Sequence, residues 1–306
     1  IQYLMNNILV TGASGQIGKI LVKKFNKNKI VGLDIIQSEK ANFPFIEIDL
    51  KNGKKLKRWK KILEEVNILI HLASTVNSSQ DIIKDGINSI DLNIHATLNL
   101  LQNLPNLKQI SFASSYMVYG TPKKNPVWES HFTNPENTYA ASKLLTEKIL
   151  RVYSEKMKIN FTILRFMGIY GIVSPYIKQA IPSFIEKIMK NENPVIFGSG
   201  KVKRNHIYID DAIDAIITSI KNKKNGEYNI GGFDSPTNLE IIKIINKSLD
   251  MKIKPNFKNS ENKEHSFIAN IEKARSILQF NPKISIEQGI DKTIQKYNDR
   301  GYGQKF

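Results

Sequence analysis

Apolar positions along the first 170 residues fall into two alternating rhythms. Short runs rich in β-branched residues, Asn7–Val10, Lys29–Leu33, Phe45–Ile48, Asn67–Leu72, Gln109–Phe112 and Phe161–Leu164, read as six strands. Between them the spacing changes to that of a helix. From Gly15 to about Lys27 the apolar residues are Ile17, Ile20, Leu21 and Phe25, which share one helical face. Ile82 to Leu104 reads as one long helix closed by Pro105, and Pro135 opens another that runs to about Lys156. Strands alternating with helices predict an α/β fold, a parallel sheet covered on both faces. Beyond residue 170 the alternation breaks into shorter helices, isolated strands and Gly/Pro/Asn turns. That break predicts a main domain over 1–170 and a smaller C-terminal lobe over 171–306, with a later segment at about 201–232 returning to the first domain. No internal repeat or low-complexity linker interrupts the chain.

Composition narrows the function classes. The chain has 306 residues, 41% hydrophobic and 24% charged, enough for a sizeable core and ordinary for a globular protein. It contains no cysteine, which excludes disulfides, a cysteine nucleophile, cysteine-ligated zinc and iron–sulfur clusters and fits a cytoplasmic setting. No run of about 18 apolar residues predicts a membrane span. Ile1–Val10 lacks a basic leader and a small-residue cleavage site, so it is read as a strand and not a signal peptide, with Met5 as the natural start. The formal charge of +17 invites a nucleic-acid reading. The excess is mostly lysine in a chain also rich in Asn and Ile. Its densest cluster, Lys51–Lys61, holds one aromatic and no zinc-finger or RNP-type pattern, so it reads as a solvated face with no nucleic-acid partner.

The chemistry begins at Thr11-Gly-Ala-Ser-Gly-Gln-Ile-Gly18, between the first strand and the first helix. Glycines in such a turn let the backbone approach a pyrophosphate, and the helix N-terminus supplies N–H donors. Asp34 closes the next strand, sixteen residues after Gly18, where a carboxylate accepts hydrogen bonds from ribose hydroxyls and repels a 2′-phosphate. NAD is therefore the expected cofactor and the sheet is expected to be Rossmann-like. Tyr139 and Lys143 are four apart on a predicted helix and project from one face. A tyrosine near pKa 10 is a poor base, and a neighbouring ammonium favours its phenolate. Asp210-Asp211 opens a helix and reads as a cap, and His206 has no second histidine at ligand spacing, so no metal site is expected.

The Gly12, Gly15, Gly18 spacing resembles that of the extended short-chain dehydrogenases, the NAD-dependent nucleotide-sugar epimerase/dehydratase family. Further pieces follow in family order: Asp49-Leu50, His71-Leu-Ala-Ser74, Asn93, Ser114-Ser-Tyr-Met-Val-Tyr-Gly120, Tyr139-Ala-Ala-Ser-Lys143 and Arg165-Phe-Met-Gly-Ile-Tyr-Gly171. Glu227–Gly232 and Asn270–Arg275 are similar to later landmarks, with Asn270 where an aspartate is usual. The resemblance implies a catalytic set of Ser115, Tyr139 and Lys143. It implies a cofactor site of Gly12, Gly15, Gln16, Ile17, Gly18, Asp34, Asp49, Leu50, Leu72, Ala73, Ser74 and Asn93, joined by Tyr139 and Lys143. Ser115, Tyr139, Gln179, Arg204 and Lys263 would contact a nucleotide sugar, a UDP-sugar before others, with Arg204 on its diphosphate. The helices 82–104 and 135–156 would pair across a two-fold axis in a homodimer. Two departures fall at the substrate: Gly168 stands where the family often has Asn, and a second phosphate-binding arginine before residue 266 is missing, with Lys258 or Lys263 as alternatives for its place. Tyr116-Met117 occupy the positions where 4,6-dehydratases carry an acidic pair, which favours 4-epimerisation, with keto-sugar reduction as the alternative and a non-catalytic NAD sensor as a further one.

Overall fold

The structure is a computed structural model that describes residues 7–37, 42–74, 82–171, 179–260 and 264–299. Its strands are β1 (Asn7–Thr11), β2 (Ile30–Asp34), β3 (Phe45–Glu47), β4 (Val66–His71), β5 (Gln109–Ser115), β6 (Asn160–Phe166), β7 (Gly168–Tyr170), β8 (Val195–Phe197), β9 (His206–Tyr208), β10 (Gly226–Ile230) and β11 (Asn256–Lys258). The helices are α1 (Gln16–Val22), α2 (Gly53–Leu56), α3 (Lys60–Glu64), α4 (Ile82–Ser89), α5 (Ala96–Gln102), α6 (Thr138–Met157), α7 (Ala180–Met189), α8 (Ile209–Asn222), α9 (Asn238–Ser248), α10 (Glu272–Ser276) and α11 (Ile286–Asp299).

Seven strands pair in the order β3-β2-β1-β4-β5-β6-β10, every pairing parallel. The strand order reverses between β1 and β4, and ligands of such sheets bind at the carboxyl ends beside that reversal. Alternation along each strand divides the core in two. Ile8 and Val10 of β1 and Ile68 and Ile70 of β4 pack beneath α1, α8 and the C-terminal lobe. Leu9, Leu69, Ile110 and Phe112 face the other way, against α3, α5 and α6. The segment that leaves β9 forms α8 and then β10, which adds to the edge of the sheet beside β6. Two small sheets pair β8 with β11 and β7 with β9. A third cluster, Val118, Tyr119, Val127, Met167, Phe267 and Ala269, joins the C-terminal part of the chain to the end of β5.

Three elements depart from the expectations of the sequence. The first helix stops at Val22, short of Lys27. The helix expected from Pro135 starts at Thr138, because the Asn137 side chain accepts the Ala140 amide and caps it there. The helix expected over 82–104 is interrupted by a π-helical segment, Ile90–His95. Here the carbonyl of Asn93 accepts hydrogen bonds from the hydroxyls of Thr97 (2.6 Å) and Thr146 (3.0 Å), so side chains take over part of the backbone bonding that keeps an α-helix regular.

Gly18 packs so closely against the turn that a Cβ would lie 2.1 Å from the carbonyl oxygen of Gly12 and 2.8 Å from Cα of Ala13. Gly18→Ala is expected to destabilise the protein by about 1–3 kcal/mol, as overpacking against backbone does. A lowered urea midpoint at unchanged m-value checks this; an unchanged midpoint contradicts it.

Candidate active site

The glycine turn lies at the carboxyl end of β1. Gly12 has φ +70° and a Cβ there would meet the backbone of Ala73 at 2.9 Å, so only glycine fits between the turn and the end of β4. The Ser14 amide donates to Asp34 Oδ2 (2.9 Å) and the Ile35 amide to Oδ1 (2.7 Å), which fixes that carboxylate beside the turn. Ile17 packs on the core. The Oε1 of Gln16 is buried without a hydrogen-bond partner, an orphaned acceptor at the start of α1. The bare cradle, the aimed carboxylate and this acceptor fit a dinucleotide, with Gly12, Gly15 and Gly18 at its pyrophosphate and Asp34 at its ribose.

The other expected cofactor residues divide. Leu72, Ala73 and Ser74 follow β4 and are half-buried beside Gly12. Asp49 is exposed and accepts the Lys51 amide, whereas Leu50 is sealed in the core next to Leu9 and Val31. Asn93 is buried and bridges two elements: Oδ1 accepts from Ser74 (2.8 Å) and Nδ2 donates to Ser142 (2.7 Å) on α6. His71, fully buried, ties this region back to β1. Thr97 donates its hydroxyl to the Asn93 carbonyl, so His71 Nε2–H donates to Thr97 (2.8 Å) and Nδ1 accepts from Thr11 (2.7 Å).

The end of β5 is fastened to α6 residue by residue. Lys143 is 2% exposed; its Nζ donates to the Ala113 carbonyl at 2.8 Å and sits 4.6 Å from the Phe112 ring centre and 5.9 Å from that of Tyr139. Ser114 donates to Glu147 at the next turn of the helix. The Ser115 hydroxyl receives the Met117 amide (3.2 Å) and stands near enough to the Tyr139 phenol to favour its ionised form. The three expected catalytic side chains are thus together. Burial pushes the Tyr139 phenol up to about 12, against the pull of Ser115, and pushes the Lys143 ammonium down to about 7, against the pull of Glu147. The sequence predicts an activated phenolate; in the protein alone burial outweighs that activation.

Arg204 lines a cleft of about 950 Å³ with Tyr116, Met117, Gly120, Glu136, Phe197 and His265. The structure does not bring Gln179 to this cleft: it is exposed at the start of α7. Lys263 lies outside the described residues. Lys258 borders a neighbouring hollow with Phe257 and Glu264. Gly168 abuts the ring of His206, whose Nδ1 would be 3.0 Å from a Cβ at that position. His206 is driven to about 4, first by burial and then by Arg204, which keeps it a neutral packing residue. Sequence reasoning gave no role to His71, Glu147 or Arg165, and took Ser114 only as the alternative to Ser115 as the catalytic serine. The extension of the Tyr139, Lys143 spacing by four to Glu147 was the signal available for one of them.

The family model for the NAD dependent epimerase/dehydratase family matches residues 8–231. A putative UDP-glucose 4-epimerase from Methanocaldococcus jannaschii is 31% identical, covering 96% of this chain and 99% of its own. A dTDP-4-dehydro-6-deoxyglucose reductase from Escherichia coli is 30% identical over 95% of this chain and 97% of its own. Among solved structures, UDP-glucose 4-epimerase from Thermotoga maritima with UDP-glucose superposes with a TM-score of 0.88 at 25% identity, covering 96% of this chain and 99% of that one. The chain belongs to the NAD dependent epimerase/dehydratase family.

Burial, followed by the charge of Lys143, pushes the His71 ring down to about 3, against about 6.5 in an unfolded chain. Such a histidine takes up its proton on unfolding, so its contribution to stability is complete above about pH 6.5 and is lost as pH falls toward 3. His71→Gln is expected to be less stable at pH 7.5 but to lose less stability than the parent between pH 6.5 and 4. Parallel stability–pH curves from urea titrations contradict this assignment.

Proposed function

We propose that the chain is an NAD-dependent 4-epimerase of a nucleotide-activated sugar, with a UDP-sugar as substrate. The observation that carries this reading is the gathering of Ser115, Tyr139 and Lys143 where β5 meets α6, with the Lys143 ammonium 5.9 Å from the Tyr139 ring centre, between the glycine turn and the Arg204 cleft. Residues 1–170 with the returning segment at about 201–232 hold the cofactor, the remainder of 171–306 mainly holds the sugar nucleotide, and Arg204 meets its diphosphate. A guanidinium suits that diphosphate because it bonds two oxygens at once.

Bound NAD supplies the acceptor, and then the donor, of the hydride at the sugar C4. Tyr139 takes the proton of the 4-hydroxyl as that oxygen becomes a carbonyl and returns a proton to the same oxygen in the second half-reaction. Ser115 hydrogen-bonds O4 in both states and, standing beside Tyr139, favours the phenolate. Lys143 contributes its buried ammonium to the same end and holds the ribose. Rotation of the sugar between the two half-reactions inverts C4; with no rotation the same residues perform only oxidation or reduction.

Dehydration is disfavoured at the cleft itself. Tyr116 and Met117 line it where the dehydratase pattern has acids. The nearby Glu136 carboxylate accepts the Thr121 amide at 2.9 Å and is held below the usual carboxylate range by its hydrogen bonds to Thr121, so it is a poor proton donor. The exposed apolar residues Ile83 and Ile87 of α4 and Leu145 and Val152 of α6 support a homodimer through these helices.

Purified protein is expected to interconvert UDP-glucose and UDP-galactose, or their N-acetyl or uronic acid forms, with trace NAD⁺. Tyr139→Phe is expected to lose roughly 10²–10⁴-fold in kcat. Reduction of a 4-keto sugar without interconversion of any pair contradicts epimerisation and favours the reductase. Leu145→Glu is expected to sediment as a monomer where the parent sediments as a dimer; an unchanged sedimentation coefficient contradicts the proposed interface.

A further inference from the structure

Tyr139, Lys143 and Glu147 stand at successive four-residue steps on α6, and each engages one of three consecutive residues of β5. Ala113 offers its carbonyl to Lys143, Ser114 its hydroxyl to Glu147, and Ser115 stands beside the Tyr139 phenol. Glu147 is 1% exposed and its carboxylate accepts three hydrogen bonds. Oε1 accepts from Ser114 and from Arg165 Nε (3.1 Å), and Oε2 accepts from Arg165 Nη2 (2.7 Å). Arg165, on β6, is 3% exposed and spends Nη1 on the hydroxyl of Tyr119 (2.9 Å) and the Glu129 carbonyl (3.3 Å). The pair therefore has a direction: its carboxylate end meets Ser114 and the turn that bears Lys143, and its guanidinium end meets Tyr119 and Glu129.

Among the described residues, the charged and titratable groups around Lys143 are these. His71, on β4, is neutral, Tyr139 and Glu147 share its helix, and Arg165 lies beyond Glu147 on β6. Across α6, α4 carries Asp85 and the π-helical segment Asp91. Burial drives the lysine toward its neutral form, and the Glu147 carboxylate opposes it. A neutral lysine would give Tyr139 no electrostatic help.

We propose that Glu147, braced by Arg165, is a positioning residue of the active site, the buried counter-charge that keeps Lys143 an ammonium and, through Ser114, the clamp that sets Ser115 against Tyr139. The consequence for the reaction rests on Tyr139 being the base of the proposed epimerase; the effect on Lys143 does not.

The test is a ¹³C NMR titration of lysine Cε, with the Lys143 signal assigned by its loss in Lys143→Met. The parent signal is expected to titrate near neutral pH, apart from the exposed lysines. Glu147→Gln, which keeps shape and removes charge, is expected to move that midpoint down by about one pH unit. The alkaline limb of the kcat profile is expected to fall by the same interval with the substrate KM unchanged. Glu147→Met/Arg165→Met, which removes both charges for apolar groups, is expected to produce the same shift. An unmoved Lys143 midpoint in either folded variant overturns the proposal. Failure of both variants to fold overturns it as well, since Glu147 would then serve folding alone. A shifted midpoint in a protein that epimerises no sugar would leave this proposal standing and reject the epimerase.

Discussion

Lys143 brings an ammonium into the interior, between a phenylalanine ring and the end of a strand, where a lone charge costs several kcal/mol. The neighbouring residues are organised around that cost. The Ala113 carbonyl takes one proton donor, His71 stays neutral with both ring nitrogens bonded to threonines, and Glu147 supplies the opposite charge, held in place by Arg165 and Ser114. The site is therefore a compromise in which apolar packing, which makes each electrostatic contact stronger, also works against the charged form that the chemistry uses.

The sheet makes this compromise possible. Parallel strands deliver Thr11, His71 and Ser115 to one edge, and the strand-order reversal opens a crevice between the first two. Gly12 lets the β1 turn touch the backbone that follows β4, and Asn93 carries the contact on to α6 through Ser74 and Ser142. The π-helical segment that places Asn93 there departs from helix geometry where its carbonyl serves two threonine hydroxyls. From Tyr119 the polar network continues to Asn229 on β10, which also bonds the carbonyls of Val127 and Asn270 in the C-terminal part of the chain. The helix α6 and the C-terminal part of the chain thus share one buried framework.

Most of the fold was legible because a parallel sheet writes itself as short β-branched runs between helical spacings; the six strands expected before residue 170 are all present. The glycine turn, Asp34 and the Ser115, Tyr139, Lys143 set were legible for a related reason, since each needs particular residue types at a fixed spacing. What sequence could not reveal depends on contacts across the fold. The burial of the Leu50 side chain in the cluster that holds Leu9 and Val31 was hidden, because those residues come from β1 and β2. Gln179 was expected at the substrate and stands exposed at a helix start. Glu147 and Arg165 are eighteen residues apart on a helix and a strand, and nothing local announces that they meet. The break in the helix over 82–104 was hidden likewise, since Thr146, one of its causes, belongs to α6.

In the proposed reaction one carbon of the sugar gives up its hydride and receives it back while Tyr139 handles only the proton on oxygen. A UDP-sugar carrying deuterium at C4 tests this most directly. The account predicts that turnover in ordinary water yields the epimer with deuterium still at C4 and no solvent hydrogen on any ring carbon. Loss of the label to solvent, or its appearance at another carbon, would contradict the account.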